Sequence, residues 1–319
     1  MPRAIGANCR LLMIPEATYG TAPAGDWLRM PFLSCDLGAE QPLLDADVIG
    51  VGSSRDPAAP FLDTVTVQGQ AVVPVDLVNI GHWLRLLLGA PTTTGTSPDF
   101  VHTFGSGAAA LPSNSIEIGY PDVPNYDLCT GVRADTMEID FSPTGPATAT
   151  FGLMGQGSTR GATSSGGTPT SAAAYTAFHK AQGAISRNGS ALAQVTGARL
   201  TYANGMEMVR TIRADRKVEG VDPGIARATG QITARFADTT LLTQAQNNTP
   251  AEFAFSYTID ANRSLTFTLH EVYLALAKTP IEGPGGVEAS FEFRAAYNSS
   301  AGRMMTVVLR NQQQASEYA

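Results

Sequence analysis

Apolar residues in this chain recur mostly at every second position. In "DTMEIDF" (135–141), Met137, Ile139 and Phe141 alternate with polar neighbours, and "ATATFGLMG" follows after the turn "SPTGP". "EVYLALAK" (271–278) and "VEASFEFRAAY" (287–297) alternate around the turn "TPIEGPGG". "ARLTY", "RSLTFTL" and the late run "MTVVLR" have the same character. Short alternating runs bounded by Gly and Pro predict half-buried antiparallel strands. The fold class is therefore read as mainly β.

One long amphipathic helix interrupts the strands. In "VDLVNIGHWLRLLLGAP", Asp76 is placed to cap the first turn. Leu77, Ile80, Trp83, Leu84 and Leu87 form one broad apolar stripe, which predicts a helix–sheet core. Gly89 and Pro91 end the helix. His82 within it reads as a buried or half-buried structural histidine. A shorter helix is expected in "FADTTLLTQAQNN", capped by Asp238, with Leu241, Leu242 and Ala245 apolar and Pro250 beyond its end. Thr239 and Gln244 stand there at positions where the first helix has its wide apolar face.

The two helices follow similar strands. "VQGQAVVPVDLVNIGHWL" (67–84) and "TGQITARFADTTLL" (229–242) share Gly-Gln, an apolar run, an Asp and a helix-like segment. Aligning Gly69 with Gly230 brings Gly145-Pro146 and Gly283-Pro284 into the same order, each in a turn between alternating strands. The first half carries "GAPTTTGTSPDFVHTFGSGAAALPSN" where the second has "NNTPAEF", and this is read as an expanded loop. The order strand, helix, strands, Gly-Pro hairpin, strand thus recurs. It divides the chain into a first domain at 1–155, a Gly/Ser/Thr-rich linker or long loop at 156–178, and a second domain at 179–319. The alternative is one β domain carrying an unrelated β module.

Composition narrows the function. With 319 residues and 43% hydrophobic content, the chain can bury one large core or two ordinary ones. Charged residues make up only 15%, against a usual value of roughly 25%. That fits a turn-rich β protein, or one that loses surface in an assembly. The net charge of −7, without a basic cluster, argues against binding nucleic-acid phosphates. The stretch "RTIRADRK" (210–217) is broken by Ala and Asp and reads as a solvated face or a subunit contact. The glycines at 155–167 do not open into an apolar helix, as a phosphate loop must.

Candidate chemistry is sparse. Cys9, Cys35 and Cys129 form no CxxC and read as small apolar residues in a reducing compartment. The N-terminus lacks a signal-peptide core, and no apolar run approaches the ~18 residues of a membrane span. A soluble, cytoplasmically made protein is expected. His82, His102, His179 and His270 lie at no metal-ligand spacing, and neither Gly-x-Ser-x-Gly nor HExxH occurs. Asp45 and Asp47 read as a solvated loop. No catalytic residue, metal or cofactor is expected.

The segments "LLMIPEATYGTAP", "WLRMPFLSCDLG", "PLLDADVIG", "VTVQGQAVVPVDLVNIGHWLRLLLGAP", "LTYANGMEMVRTIRADRKVEGVDPG" and "GPGGVEASFEF" together resemble the tail tube proteins of long-tailed bacteriophages. The resemblance covers most of the chain and rests on turn residues and strand patterns. It implies two tandem tail-tube-like β-barrel or sandwich domains, each with a flanking helix, and no enzymatic activity. It also implies rings whose inner sheets join into one wall, stacked through long loops and termini into a hollow tube. Implied partners are further copies of the chain, a tape-measure protein, tail terminator and tail-tip proteins, with DNA as transient cargo. The implied location is the virion tail, after synthesis in the host cytoplasm.

Two domains per chain would let three chains fill the circle that six single-domain subunits fill, so a trimeric, pseudo-hexameric ring is expected. The alternatives are a hexameric ring of a single-repeat subunit with an added β domain, or a tail or baseplate module that grips a glycan. Such a module should cluster exposed aromatics, whereas Trp27 and Trp83 stand far apart in sequence. A conduit for DNA should not hold phosphate, so an acidic, lysine-poor lumen is expected. The loops at 45–63 and 213–224 are expected to reach the adjacent ring. Their candidate contacts are Arg55 and Asp56 in the first, and Arg213, Asp215 and Arg216 in the second.

Overall fold

In the computed structural model, which describes residues 3–46, 48, 56–170, 175–281 and 283–319, the alternating runs form antiparallel strands. The first half begins with β1 (Arg10–Pro15), β2 (Leu28–Met30), β3 (Ser34–Cys35) and β4 (Gly38–Glu40). A small hairpin, β5 (Leu43–Leu44) and β6 (Phe61–Leu62), leads into β7 (Thr66–Pro74) and helix α1 (Asn79–Leu88). Then come β8 (Thr92–Thr96), β9 (Asp99–Gly105), β10 (Asn114–Tyr120), β11 (Asn125–Phe141), β12 (Thr148–Gly155) and β13 (Gly157–Gly161).

The second half has β14 (Gly183–Arg187), β15 (Ser190–Ala191), β16 (Val195–Ala203), and a small hairpin of β17 (Glu207–Val209) and β18 (Gly220–Asp222). It continues with β19 (Arg227–Arg235), helix α2 (Thr240–Gln246), β20 (Ala251–Asp260), β21 (Arg263–Leu274), β22 (Glu288–Ala295) and β23 (Met305–Asn311). No helix among the described residues is long and apolar enough to cross a membrane.

β11 is long enough to serve two sheets. Its first part pairs with β10 and β13, and its second part pairs with β12. β10 continues to β1 and then β2. β12 continues to β7, whose other side takes β3 and β4. The second half repeats these pairings. β21 pairs with β20 and β23 through its first part and with β22 through its end. β20 continues to β14 and β15, and β22 to β19 and β16.

The register follows the same rule. Gly69 pairs with Leu153, and Gly230 pairs with Phe293. A Cβ at either glycine would strike the backbone of the adjoining strand, at Leu37 for Gly69 and at Arg199 for Gly230. Close backbone approach is thus what requires glycine at both marks.

The halves are joined at two places. The second part of β11 pairs with β16, from Thr136↔Ala203 to Phe141↔Ala198. One eight-stranded sheet results, in the order β4–β7–β12–β11–β16–β19–β22–β21. Elsewhere β9 of the first half pairs with β23 of the second. The hydrophobic core is continuous across the junction. Phe141 lies 4.9 Å from Tyr257 and 5.3 Å from Phe255, ring centre to ring centre.

Three local expectations change. The stretch at 92–105, read as a polar loop, is the hairpin β8–β9. His102 and Phe104 alternate inward from it and are fully buried. The stretch at 156–178, read as a linker, opens with β13 and then stays anchored. Ser164 Oγ and Ser165 N–H donate to the buried Glu117 carboxylate at 2.5 and 2.6 Å, and Thr170 N–H donates to Trp27 O at 3.0 Å. Hydroxyls and backbone amides hold this segment, so apolar periodicity gave no sign of it.

Helix α1 is the third. It starts at Asn79, so Asp76 lies outside it, yet Asp76 Oδ1 still accepts the first-turn N–H of Ile80 at 3.0 Å. Leu77 precedes the helix and is buried, as are Ile80, Trp83, Leu84 and Leu87. Trp83 stacks on Phe151 at 5.2 Å. The burial is not one-sided, because within α1 only Arg85 escapes it. Tyr318, from the end of the chain, lies over Gly81, where a Cβ would meet its ring. α2 has no counterpart of the β8–β9 hairpin before the next strand and is shorter, with Leu241, Gln244 and Ala245 buried. Gln244 uses its polar ends: Oε1 accepts from Arg187 at 2.7 Å, and Nε2 donates to Val272 O at 3.4 Å.

Candidate assembly surfaces

Alternate residues of the eight-stranded sheet point away from the core. They include Thr66, Gln68 and Gln70 of β7, Thr148 and Thr150 of β12, and Thr229, Gln231 and Thr233 of β19. The acidic positions on this face (Glu40, Glu138, Asp140, Glu288, Glu292) stand against Arg199, Arg227, Arg235 and Arg294, one arginine fewer. Arg199 Nη2 lies 2.7 Å from Glu138 Oε1, across the joint between the halves. None of the chain's lysines, at positions 180, 217 and 278, lies in a strand. The face is rich in hydroxyls and amides, with nearly balanced charge. Nearly balanced charge leaves little net positive field to hold a polyanion.

The two ends of this sheet are open. Within the chain, β16 fills the outer side of the second part of β11. The equivalent side of β21 carries no partner strand among the described residues. Beyond Leu274 the chain still runs along β22, where Ala275 N–H donates to Glu292 O at 2.8 Å. At the far end, β3 and β4 pair with β7 on one side alone among the described residues. Their register makes them the counterparts of β16: Cys35↔Ala71 matches Ala198↔Ile232, and Gly38↔Gln68 matches Thr201↔Thr229.

Side chains at these edges are left uncovered. Leu276 continues the inward alternation of Val272 and Leu274, yet it is 65% exposed. Met137, at the same place along β11, is 0% exposed. Ala39 is exposed where its counterpart Tyr202 is buried. Sequence reading did not single out Leu276 or Ala39. The signal was present in "EVYLALAK", whose alternation runs on past the covered part of the strand.

The two loops expected to reach an adjacent ring leave from equivalent places, the β5–β6 and β17–β18 hairpins. Arg55 lies outside the described residues, and Asp56 is described. Arg213 Nη2 is 2.8 Å from Asp215 Oδ2, and Arg213 Nη1 is 2.6 Å from Glu219 Oε2. The hydrogen bond from Arg213 holds the Asp215 carboxyl well below the usual carboxylate range, and it also lowers that of Glu219. Arg216 O accepts from Val65 N–H at 2.9 Å, so the second loop rests on the root of the first. Ile212, in the same loop, is wholly exposed. The three named residues of this loop are therefore brought together within the chain.

No curated protein matches the chain. A family model described as "Phage tail tube protein" matches residues 6–295, a span that takes in both halves and the joint between them.

Proposed function

We propose a role from one premise: the chain belongs to the phage tail tube protein family. It is a structural protein of the virion tail, and it works as a stacked oligomeric assembly. The finer reading is a trimeric ring with pseudo-sixfold symmetry, made from two tandem domains per chain. These lie at 1–155 and 179–319, with β13 added to the first.

The observation that carries this reading is the internal joint. Within the chain, β11 of the first half pairs with β16 of the second. The same chain offers an open copy of each partner, the 275–280 edge and the β3–β4 edge. Repeating the internal joint between chains closes the sheet into a ring and leaves neither end of this sheet open. The internal register Met137↔Tyr202 then becomes Leu276 of one chain opposite Ala39 of the next. Both exposed edge residues are covered in that step.

In the closed ring the hydroxyl- and amide-rich face lines the conduit for DNA. Its charge is closer to balance than the acidic lumen expected from the sequence. Stacking is assigned to the 45–63 loop, including Arg55 and Asp56, and to the loop holding Arg213, Asp215, Arg216 and Ile212. Tape-measure, terminator and tip proteins are the proposed partners, and the host cytoplasm the proposed place of synthesis.

The test is a cysteine pair, Ala39→Cys with Leu276→Cys, in assembled tubes under mild oxidation. A disulfide ladder that stops at the closed trimer is expected on a gel without reductant. A ring image with six complete chains, or tubes whose chains stay uncrosslinked, would overturn the trimer.

A further inference from the structure

The two small hairpins hold equivalent places, but only one is covered. β17–β18 connects β16 to β19 just as β5–β6 connects β4 to β7. Val221 of β18 is fully buried, packed with Met206, Leu111 and Met154. The Arg133 guanidinium donates to Val221 O, and Gln156 Nε2 donates to Glu219 O at 2.8 Å. The second half's hairpin is thus seated on the first half, at the end of β11 and β12.

Among the described residues β5–β6 has no such cover, although it is the more apolar of the two. Leu43, Leu44, Phe61 and Leu62 are 64%, 40%, 52% and 45% exposed. A two-stranded ribbon is marginal in water without packing. Four adjoining apolar side chains on one mark a contact surface.

The repeat identifies the seat. Arg133↔Met154 at the end of β11–β12 has the same register place as Tyr273↔Arg294 at the end of β21–β22. Tyr273 is half-exposed there, and Tyr297, just past β22, is 66% exposed. We infer that β5–β6 of each chain docks on the Tyr273, Arg294 and Tyr297 surface of a second copy of this chain, lateral to it in the ring. This rests on the ring reading above and adds a second contact to the strand joint. Phe61 and Leu44 form a cross-strand pair of this hairpin, as Val221 and Met208 do in the other. Aromatic rings at Tyr273 and Tyr297 give Phe61 an apolar, edge-rich surface suited to it.

The experiment uses the full chain in assembled tubes, with the wild-type chain as control for its own three cysteines. Phe61→Cys with Tyr273→Cys is expected to give an intermolecular disulfide ladder. Phe61→Ser with Leu44→Ser is expected to raise the concentration needed for assembly by about tenfold or more, with the thermal unfolding of the single chain unchanged. If the Ala39/Leu276 pair crosslinks but the Phe61/Tyr273 pair does not, and the serine variant assembles like wild type, the docking falls and the ring stands. If the wild-type chain forms no rings or tubes, even with its tail tip present, the ring reading falls and takes the docking with it.

Discussion

His102 of β9 and Asn311 of β23 are fully buried neighbours on the second joint between the halves, with His102 Nε2 3.0 Å from Asn311 Oδ1. The contact is one link in a chain. Thr93 Oγ1 lies 2.8 Å from His102 Nδ1. Asn311 Nδ2 donates to Leu77 O at 2.8 Å and to the Tyr318 hydroxyl at 3.0 Å, and that hydroxyl donates to Val78 O at 2.7 Å. A neutral imidazole protonated at Nε2 satisfies every member. A buried network pays off only when complete, since each unpartnered group would carry its full desolvation penalty.

This network makes stability depend on pH. Burial lowers the pKa of His102 below its ordinary 6.5, against weaker raising effects of Asn311, Gln313 and Glu317. As pH falls, the unfolded chain takes up the proton first. The contribution is therefore complete above the ordinary value and shrinks as pH drops through it toward the lowered one. The thermal midpoint should fall between about pH 7.5 and about pH 5.5, and less steeply in His102→Gln. Glu317, held low by its hydrogen bond from His82, contributes a further loss at more acidic pH. Equal slopes for the two proteins would show that His102 does not carry the effect.

Tyr318 should anchor the end of the chain. Its side chain is 0% exposed and lies over α1. Tyr318→Ala is expected to cost about 3–5 kcal/mol by analogy with other buried aromatics. Tyr318→Phe keeps the ring but strands one Asn311 donor, while Val78 O keeps the Gly81 N–H at 3.1 Å, for about 1–3 kcal/mol. Urea unfolding of both variants gives the comparison.

The paired glycines should behave alike. Gly69→Ala drives a Cβ into the Leu37 backbone, and Gly230→Ala drives one into Arg199 O and the Phe293 ring. Each is expected to cost on the order of 1–3 kcal/mol through overpacking. Gly283→Ala meets nothing within 4 Å and serves as the control, with an expected change within about 0.5 kcal/mol. Calorimetry of the three variants decides.

Leu276→Pro should separate folding from assembly. Ala275 N–H faces β22, so alternation turns the next N–H toward the open edge. Proline is tolerated on such an edge but cannot donate to an incoming strand. The single chain should melt like wild type while ring formation is lost. Normal rings from this variant would place the joint elsewhere.

Much of the fold was legible in residue order. Met137, Ile139 and Phe141 announced the inner side of β11, and all three are buried. Gly69 and Gly230 marked the same register place in two strands that never touch. The five apolar residues from Leu77 to Leu87 are all buried. The enclosure of α1 was not legible, because β9 lies in a stretch that reads as a polar loop and Tyr318 comes from the far end of the chain. The assembly surfaces were legible only as loops. Arg213 and Asp215 were read as contacts to an adjacent ring, and the sequence did not say that they pair with each other within the chain.

What the sequence determined by itself is the strand pattern, the two helices and the repeated order, since alternation, caps and turn glycines act over a few residues. What the tertiary structure decided is which edges and faces are covered. The contact between His102 and Asn311 spans 209 positions. Leu276 and Met137 follow the same inward alternation, yet only Met137 is buried. That difference depends on whether a neighbouring strand is present, and no local pattern encodes a neighbour that lies far along the chain or in another copy of it.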